Sequence, residues 1–249
     1  MKIKLLVISC FFALTQQFIW GQVNNKETLA KEYYEKADGS PNNGYLHKAA
    51  ELGYAPAQYD LAICYSNGFG DQRNDYSIAV KWLEKASKQD YVKAIYKLGL
   101  YYYNGYGVKK NDKEAVRLFQ KGADMGNADS QNEIGLCYYY GVGVSQDYSK
   151  AVLWFRKAAD QGYAPAQYNL GLRYYEGEGV LLDEVEAVKW WRKAAEQGDS
   201  DGQNGLGVCY MHGRGVKQNR VKAEEWWKKS AEQGNKRAKE NLEWLYNNE

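Results

Sequence analysis

A period of 36 residues runs through most of this chain, and it constrains the fold more than any other feature. The column that starts at Trp82 continues at Leu118, Trp154, Trp190 and Trp226. Parallel columns run from Leu83 to Trp227, from Lys85 to Lys229 and from Tyr102 to Tyr246, and Gly-x-Gly-Val recurs from Gly105 to Val216. A fixed period of this length indicates stacked units, each of which buries its apolar face against its neighbours.

Each unit has the pattern of two helices. In the first helix, Ala166, Leu170 and Tyr174 lie four residues apart, which places them on one face. Gly171 lies beside that face, where the missing side chain lets a partner helix approach closely. Gly177 ends the helix, because glycine adopts the positive φ of a helix C-terminus without steric cost.

The second helix is predicted to begin after an Asp or Asn, the side chains that best cap free backbone N–H groups. These caps are Asp75, Asn111, Asp147, Asp183 and Asn219. Ala151, Trp154 and Ala158 form the predicted buried stripe, so we expect Trp154 and its equivalents in the core. We expect Trp191 and Trp227, one position later, to be partly exposed.

With these residues in view, the chain closely resembles the Sel1-like repeat family. One unit carries the family motif at Ala166, Leu170, Gly171, Tyr174, Gly177, Gly179, Val180, Asp183, Ala187, Trp190, Lys193, Ala194, Ala195 and Gly198. The resemblance implies an all-α fold, a right-handed α/α superhelical solenoid of helix pairs related to tetratricopeptide arrays. It also implies a scaffold or adaptor role in protein–protein interaction.

We expect about six repeats, of which the first is degenerate, followed by a C-terminal capping helix. The predicted boundaries are 25–53 for the degenerate repeat, then 54–90, 91–126, 127–162, 163–198 and 199–234, with the cap at 235–249. Atypical terminal units are expected because their outer faces meet water.

Residues 1–21 have the layout of a secretory signal peptide. Lys2 and Lys4 precede an apolar run from Leu5 to Leu14, and Gly21 offers a small residue for cleavage. The sequence therefore predicts export to the periplasm or beyond the cell. Two alternatives stay open: an uncleaved anchor, for which the run is short, and a lipoprotein modified at Cys10.

Charge argues against two classes of partner. The formal net charge is +2, and no block of five or six like charges occurs. Nucleic acid and anionic membranes require a concentrated basic surface, so neither is favoured. We expect a monomer whose partner is a protein or peptide, with a cell-envelope glycan as an alternative, and no membrane span once the signal is removed.

A candidate binding groove lies on the first helices, opposite the motif face. Its predicted partner-binding residues are Tyr59, Tyr96, Tyr103, Asn132, Tyr139, Tyr168, Tyr175, Asn204 and Met211. If the first helices line the concave side, these residues form one stripe, and tyrosine is well suited to interfaces. We expect Tyr103, Tyr139 and Tyr175 to be exposed and to bind. The intervening aliphatic column Ile63, Leu100, Leu136, Leu172 and Val208 is expected to pack internally.

Catalysis is not indicated by any motif. Cys64, Cys137 and Cys209 occupy one column about two repeats apart, too distant for a disulfide. His47 and His212 stand alone, so we predict no metal and no cofactor. Some cysteine-rich relatives have weak β-lactamase or penicillin-binding activity, which the resemblance keeps as an alternative function. This chain lacks their paired cysteines and any S-x-x-K or G-x-S-x-G motif.

Overall fold

The computed structural model describes residues 25–38, 44–68 and 74–248. The chain divides into two compact units, Met1–Lys110 and Asn111–Glu249. The predicted signal peptide and Cys10 lie outside the described residues. Among the helices that are described, none is long and apolar enough to cross a bilayer.

Five helices make up the described part of the first unit. They are α1 (25–37), α2 (Tyr45–Glu51), α3 (Ala55–Asn67), α4 (Tyr76–Ser87) and α5 (Val92–Asn104). Helices α2 to α5 pack each against the next. The core of this unit includes Leu46, Leu61 and Leu83, all fully buried.

Eight helices make up the second unit. They are α6 (Asp112–Asp124), α7 (Ala128–Tyr140), α8 (Tyr148–Asp160), α9 (Ala164–Glu176), α10 (Glu184–Glu196), α11 (Ser200–His212), α12 (Arg220–Glu232) and α13 (Lys236–Asn247). Each packs against the next, and α9 also contacts α11, the first helix of the following repeat. The described residues form no strand, so the predicted all-α class is confirmed.

The predicted helix caps are confirmed. The side chains of Asp75, Asn111, Asp147, Asp183 and Asn219 each accept a hydrogen bond from the backbone N–H three residues later, at 2.9–3.1 Å. Gly105, Gly141, Gly177 and Gly213 end the first helices in the left-handed conformation. Local sequence therefore sets both the start of the second helix and the end of the first.

The second glycine of each Gly-x-Gly packs closely against the preceding repeat. A Cβ on Gly179 would overlap the backbone carbonyl of Tyr148, at the start of the preceding repeat's second helix. Gly107, Gly143 and Gly215 contact Tyr76, Asp112 and Glu184 in the same way. The loop therefore both ends a helix and packs against the unit before it.

The prediction that Trp191 and Trp227 are partly exposed was wrong, and the predicted burial of the Trp154 column holds for only some of its members. Trp191 and Trp227 are fully buried, together with their equivalents Phe119 and Phe155, whereas Trp154 is only half-buried. The cause lies on the facing helix: a Cβ on Gly171 would come within 2.6 Å of Trp191 Cδ1, and one on Gly207 within 2.5 Å of Trp227 Cδ1. The first-helix glycine, as predicted, admits a close partner, and that partner is the second aromatic column.

The first tryptophan column instead supports the recurring lysine. Lys85, Lys157, Lys193 and Lys229 lie over the rings of Trp82, Trp154, Trp190 and Trp226, with Nζ 3.7–4.5 Å from the ring centroids. Such pairs contribute roughly 0.5–1 kcal/mol at exposed sites. Leu118 and Trp190 are the buried members of this column, as predicted.

A glutamine ladder ties the repeats together. Buried Gln167 donates to the carbonyl of Ala159 at 3.2 Å and accepts from Gln197 at 2.8 Å. The same arrangement recurs at Gln58 and Gln89, at Gln131 and Gln161, and at Gln203 and Gln233. Ile95 and Met125 occupy the equivalent positions in the remaining repeat.

Candidate partner-binding face

In the first unit, the predicted groove residues lie on α3 and α5. Tyr59 is half-buried, and its ring centroid lies 5.6 Å from that of Tyr91. Tyr96 is also half-buried. Tyr103 is exposed, as predicted, with 37% of its surface accessible. Lys110 Nζ lies 5.3 Å from the Tyr103 ring centroid, which gives this ring a cationic neighbour.

In the second unit, Tyr139 is half-buried rather than fully exposed. The Arg173 guanidinium lies over its ring, 4.0 Å from the centroid. The Tyr139 hydroxyl donates to Glu178 at 3.1 Å. The rings of Tyr140 and Tyr148 lie 4.7 and 5.2 Å from it, and two thirds of Tyr140 is exposed. Tyr139 is therefore a fixed aromatic surface with an anchored hydroxyl.

Arg173 organises this region, although nothing in the repeat motif predicts it. It occupies the column of Cys137 and Cys209, and only 5% of its side chain is exposed. Its guanidinium forms ion pairs with Glu176, at 3.0 Å, and with Glu178. Burial raises the pKa of Glu176, an effect that the nearby Arg173 charge opposes. The sequence signal was an arginine in an otherwise apolar column.

Tyr168 and Tyr175 pack on Trp191. Their ring centroids lie 6.4 and 5.1 Å from the indole, and the indole Nε1 donates to the Tyr168 carbonyl at 3.1 Å. Arg214, in the next Gly-x-Gly loop, donates to the Tyr175 hydroxyl. Both tyrosines are half-buried, so each presents one part of its ring to solvent while the core fixes the other.

The predicted polar members of the groove are paired side chains. Asn169 Nδ2 donates to Asn132 Oδ1, and Asn241 Nδ2 donates to Asn204 Oδ1, both at 2.9 Å. Asn132 is buried, with 4% exposure, which corrects its assignment as a partner-binding residue. Asn204 is half-buried. These amide pairs bridge consecutive first helices. Helical periodicity within one repeat does not predict such contacts between repeats.

Three of the five members of the aliphatic column pack internally, as expected. Leu136 packs against the core around Phe155, and Leu172 and Val208 pack against the core around Trp191 and Trp227. Met211 is also half-buried against the second of these cores. The accessible part of the face therefore consists of the tyrosines, their charged neighbours, and the half-buried Asn204 and Met211.

The three cysteines of the described residues are thiols whose pKa burial raises. Cys64, Cys137 and Cys209 are free thiols. Burial raises the pKa of Cys137 and of Cys209 to about 12. Thiolate is the reactive form, so both thiols are almost entirely in the less reactive protonated form at neutral pH. Within the described ranges, no three His, Cys, Asp or Glu side chains are placed to hold a metal ion.

Comparison with known families supports the repeat reading of the sequence. The Sel1 repeat model matches residues 20–37, 44–54, 55–91, 92–127, 128–163, 164–199 and 200–235. These segments are seven in number, against the six predicted repeats, because the first two fall within or before the predicted degenerate unit. The later segments begin one residue after the predicted boundaries.

Solved structures similar to this chain are helix-pair solenoids. The Sel1 repeat protein from Oxalobacter formigenes is 32% identical, with a TM-score of 0.76, over 86% of this chain and 84% of that one. The Escherichia coli protein c5321, a protective antigen of uropathogenic strains with an SLR fold, is 34% identical, with a TM-score of 0.77, over 94% of this chain.

This chain spans half the length of c5321. The immunity protein Pa5087 from Pseudomonas aeruginosa is 26% identical, with a TM-score of 0.52, over 74% of this chain and 67% of its own. The comparison with curated proteins gave no match. The predicted fold class, an all-α solenoid of helix pairs, is confirmed by these similarities.

Proposed function

The chain belongs to the Sel1 repeat family, and from this premise we propose that it is an exported scaffold that binds a protein or peptide through the tyrosines of its first helices. Sel1 repeats typically mediate protein interactions. The proposed contact residues are Tyr59, Tyr96 and Tyr103 in the first unit, and Tyr139, Tyr168, Tyr175, Asn204 and Met211 in the second.

The observation that carries the proposal is that these tyrosines are held in place. Tyr139 is fixed by Arg173 and Glu178, and Tyr175 by Trp191 and Arg214. A side chain that is already ordered loses little conformational entropy on binding, where a mobile one costs roughly 0.5–1.5 kcal/mol. Ordered tyrosines with exposed ring surface favour protein recognition.

Export is proposed on the pattern of residues 1–21, which combines a basic start, an apolar run and a small residue at position 21. The similar protein c5321 is a protective antigen, which fits a family member that is presented outside the cytoplasm. A scaffold in that compartment would assemble envelope or extracellular proteins.

Site-specific photo-cross-linking tests the binding face. A photoreactive benzoylphenylalanine is placed at Tyr103 or Tyr175, and at Leu153 as a control. Leu153 is 60% exposed but lies on the second helix α8. We expect one defined protein to cross-link from positions 103 and 175 and not from 153. The double variant Tyr103→Ala/Tyr175→Ala is expected to lose partner binding with helicity retained.

Two results would overturn the proposal. Cross-linking from position 153 alone would move the interface to the second helices. Retention of an envelope glycan, with no cross-linked protein, would instead support the glycan alternative, since sugars also stack on tyrosine rings.

A further inference from the structure

Helix α5 carries a charge pattern that the other first helices lack. Lys93 and Lys97 lie one turn apart, and α5 contains no acidic residue. The equivalent pairs are Pro56 and Asp60 in α3, Asp129 and Glu133 in α7, Pro165 and Asn169 in α9, Asp201 and Gly205 in α11, and Arg237 and Asn241 in α13. Five helices fold without this lysine pair, so the repeat fold does not require it.

None of these lysines is neutralised by a carboxylate within the described residues. No carboxylate within the described ranges forms an ion pair with Lys93, Lys97 or Lys109. Lys93 and Lys109 are exposed, and Lys97 is half-buried with its Nζ 5.8 Å from the Tyr101 ring centroid. Three ammonium groups thus remain available near one helix.

Lysine and apolar side chains share one side of α5. At about 100° per residue, Lys93, Lys97, Leu100 and Tyr103 lie within about 120° of one another around the helix axis. Tyr103 is exposed and has Lys110 beside its ring. Along the axis, the face changes from cationic at its start to apolar and aromatic at its end.

We propose that this face of α5 binds an extended acidic peptide segment, with carboxylates at alternate positions followed by an apolar residue. The inference rests on the proposed function and names the kind of partner that the first unit accepts. Lys93 and Lys97 are about 6 Å apart along the helix. Alternate side chains of an extended strand are about 6.6 Å apart, which matches this spacing within the reach of a lysine.

The apolar end of this α5 face also fits the spacing of side chains in an extended peptide. Leu100 and Tyr103 lie about 10 and 15 Å beyond Lys93 along the axis. A residue four positions after the first carboxylate of an extended chain lies about 13 Å from it, between these two side chains. The segment read by this face is therefore acid, any residue, acid, any residue, apolar.

Two labelled heptapeptides test the proposal on the full chain by fluorescence anisotropy. The first has glutamates at positions two and four and leucine at six. The second has the same composition with the glutamates adjacent. We expect the first to bind about fivefold more tightly, since only its carboxylates reach both lysines.

Charge reversal on α5 provides the second readout. Lys93→Glu/Lys97→Glu is expected to weaken binding of the first peptide about tenfold or more. The matched control is Lys81→Glu/Lys88→Glu, which changes the same net charge at exposed positions of α4 and its C-cap. The control is expected to change binding less than about twofold. Circular dichroism verifies that each variant is folded.

Several results would overturn the inference. They are equal binding of the two peptides, equal loss in the α4 control, no peptide binding at all, or displacement by polygalacturonate as effective as by unlabelled peptide. If the peptides fail while a protein still cross-links from position 103, the inference fails and the proposed function stands. If both fail, the proposed function fails with it.

Discussion

One column of the first helices holds residues of very different chemistry. Cys64, Cys137 and Cys209 share it with Tyr101 and Arg173. Each of these side chains is buried or half-buried, but only Arg173 brings a charge, and Glu176 and Glu178 neutralise it. The scaffold therefore tolerates chemical variety at this column, provided that polar groups find partners.

Burial of the cysteines predicts their reactivity. With a pKa of about 12 for Cys137 and Cys209, the thiolate fraction at pH 8 is about a thousandfold lower than for an ordinary cysteine of pKa near 8.5. We expect iodoacetamide to modify Cys64 first, because that residue is half exposed. Peptide mass spectrometry measures the rate at each site.

The rate at Cys137 and Cys209 is expected to rise tenfold per pH unit up to about pH 12, because only the thiolate reacts. In denaturant, all three cysteines should react alike. Rapid modification of Cys137 in the native protein at pH 8 would show that this thiol is not buried.

The elements are joined by glycines with distinct purposes. Gly162 and Gly179 both have positive φ, 88° and 73°. A Cβ on Gly162 would meet nothing within 4 Å, whereas one on Gly179 would overlap the start of α8. Alanine substitutions at these two glycines therefore distinguish the cost of backbone strain from the cost of disrupted packing between repeats.

We expect Gly162→Ala to lower the free energy of unfolding by about 1 kcal/mol, which is the cost of the left-handed conformation alone. Gly179→Ala should lower it by about 3 kcal/mol or more, because the overlap with Tyr148 adds an overpacking cost. Chemical denaturation measures both. Equal losses would mean that the loop does not pack against α8.

The glutamine ladder gives a second prediction at this scale. Gln167→Ala removes a buried amide that bonds the Ala159 carbonyl and accepts from Gln197. We expect a loss of about 2 kcal/mol. Gln197→Ala removes the exposed donor to the same Gln167 oxygen, and the loss should be about 1 kcal/mol, because one hydrogen bond is broken and no buried side chain is removed. A larger loss of unfolding free energy for Gln197→Ala than for Gln167→Ala in urea denaturation would contradict the stabilising role of the buried glutamine.

The sequence predicted the helices well, because caps and glycines act locally. Asp183 starts a helix through its side-chain cap, and Gly177 ends one through its left-handed backbone conformation. The sequence did not predict which aromatic column is more deeply buried, since Trp154 and Phe155 differ by only about 100° on the same helix. Gly135 on the facing helix decides this, because a Cβ there would come within 2.7 Å of the Phe155 ring. The glutamine columns at Gln167 and Gln197 were visible in the same 36-residue register.

The binding face was only partly predictable. Tyr103 is exposed as expected, but Asn132 is buried and Tyr139 and Tyr175 are half-buried. Their burial depends on contacts between repeats, which helical periodicity within one repeat does not describe. In the sequence, Arg173 was recognisable only because it is a charged residue in a column that otherwise holds cysteine and tyrosine.

At the scale of the whole molecule, the two units carry faces of different chemistry. The face of the first unit combines Lys93 and Lys97 with Tyr103. The second unit combines tyrosines with paired charges, as at Arg173 and Glu178. If the two faces bind chemically different segments, substitutions in one unit should abolish binding of one segment and leave binding of the other unchanged.

The proposed export predicts a mature chain that lacks residues 1–21. We expect mass spectrometry of protein recovered outside the cytoplasm to show an N-terminus near Gln22, because cleavage follows the small residue Gly21. Replacement of Leu5 and Leu6 by lysine should retain the protein in the cytoplasm at full length. A diacylated Cys10, or an intact N-terminus on exported protein, would contradict cleavage at this position.

Binding through the first helices is tested most directly by hydroxyl-radical footprinting of the unmodified chain, with and without the partner that cross-linking identifies. We predict that the partner lowers the oxidation rate of Tyr103, Tyr139 and Tyr175, while Leu153 and Trp154 on α8 oxidise as before. Protection of Leu153 and Trp154, with unchanged oxidation of the three tyrosines, would contradict it.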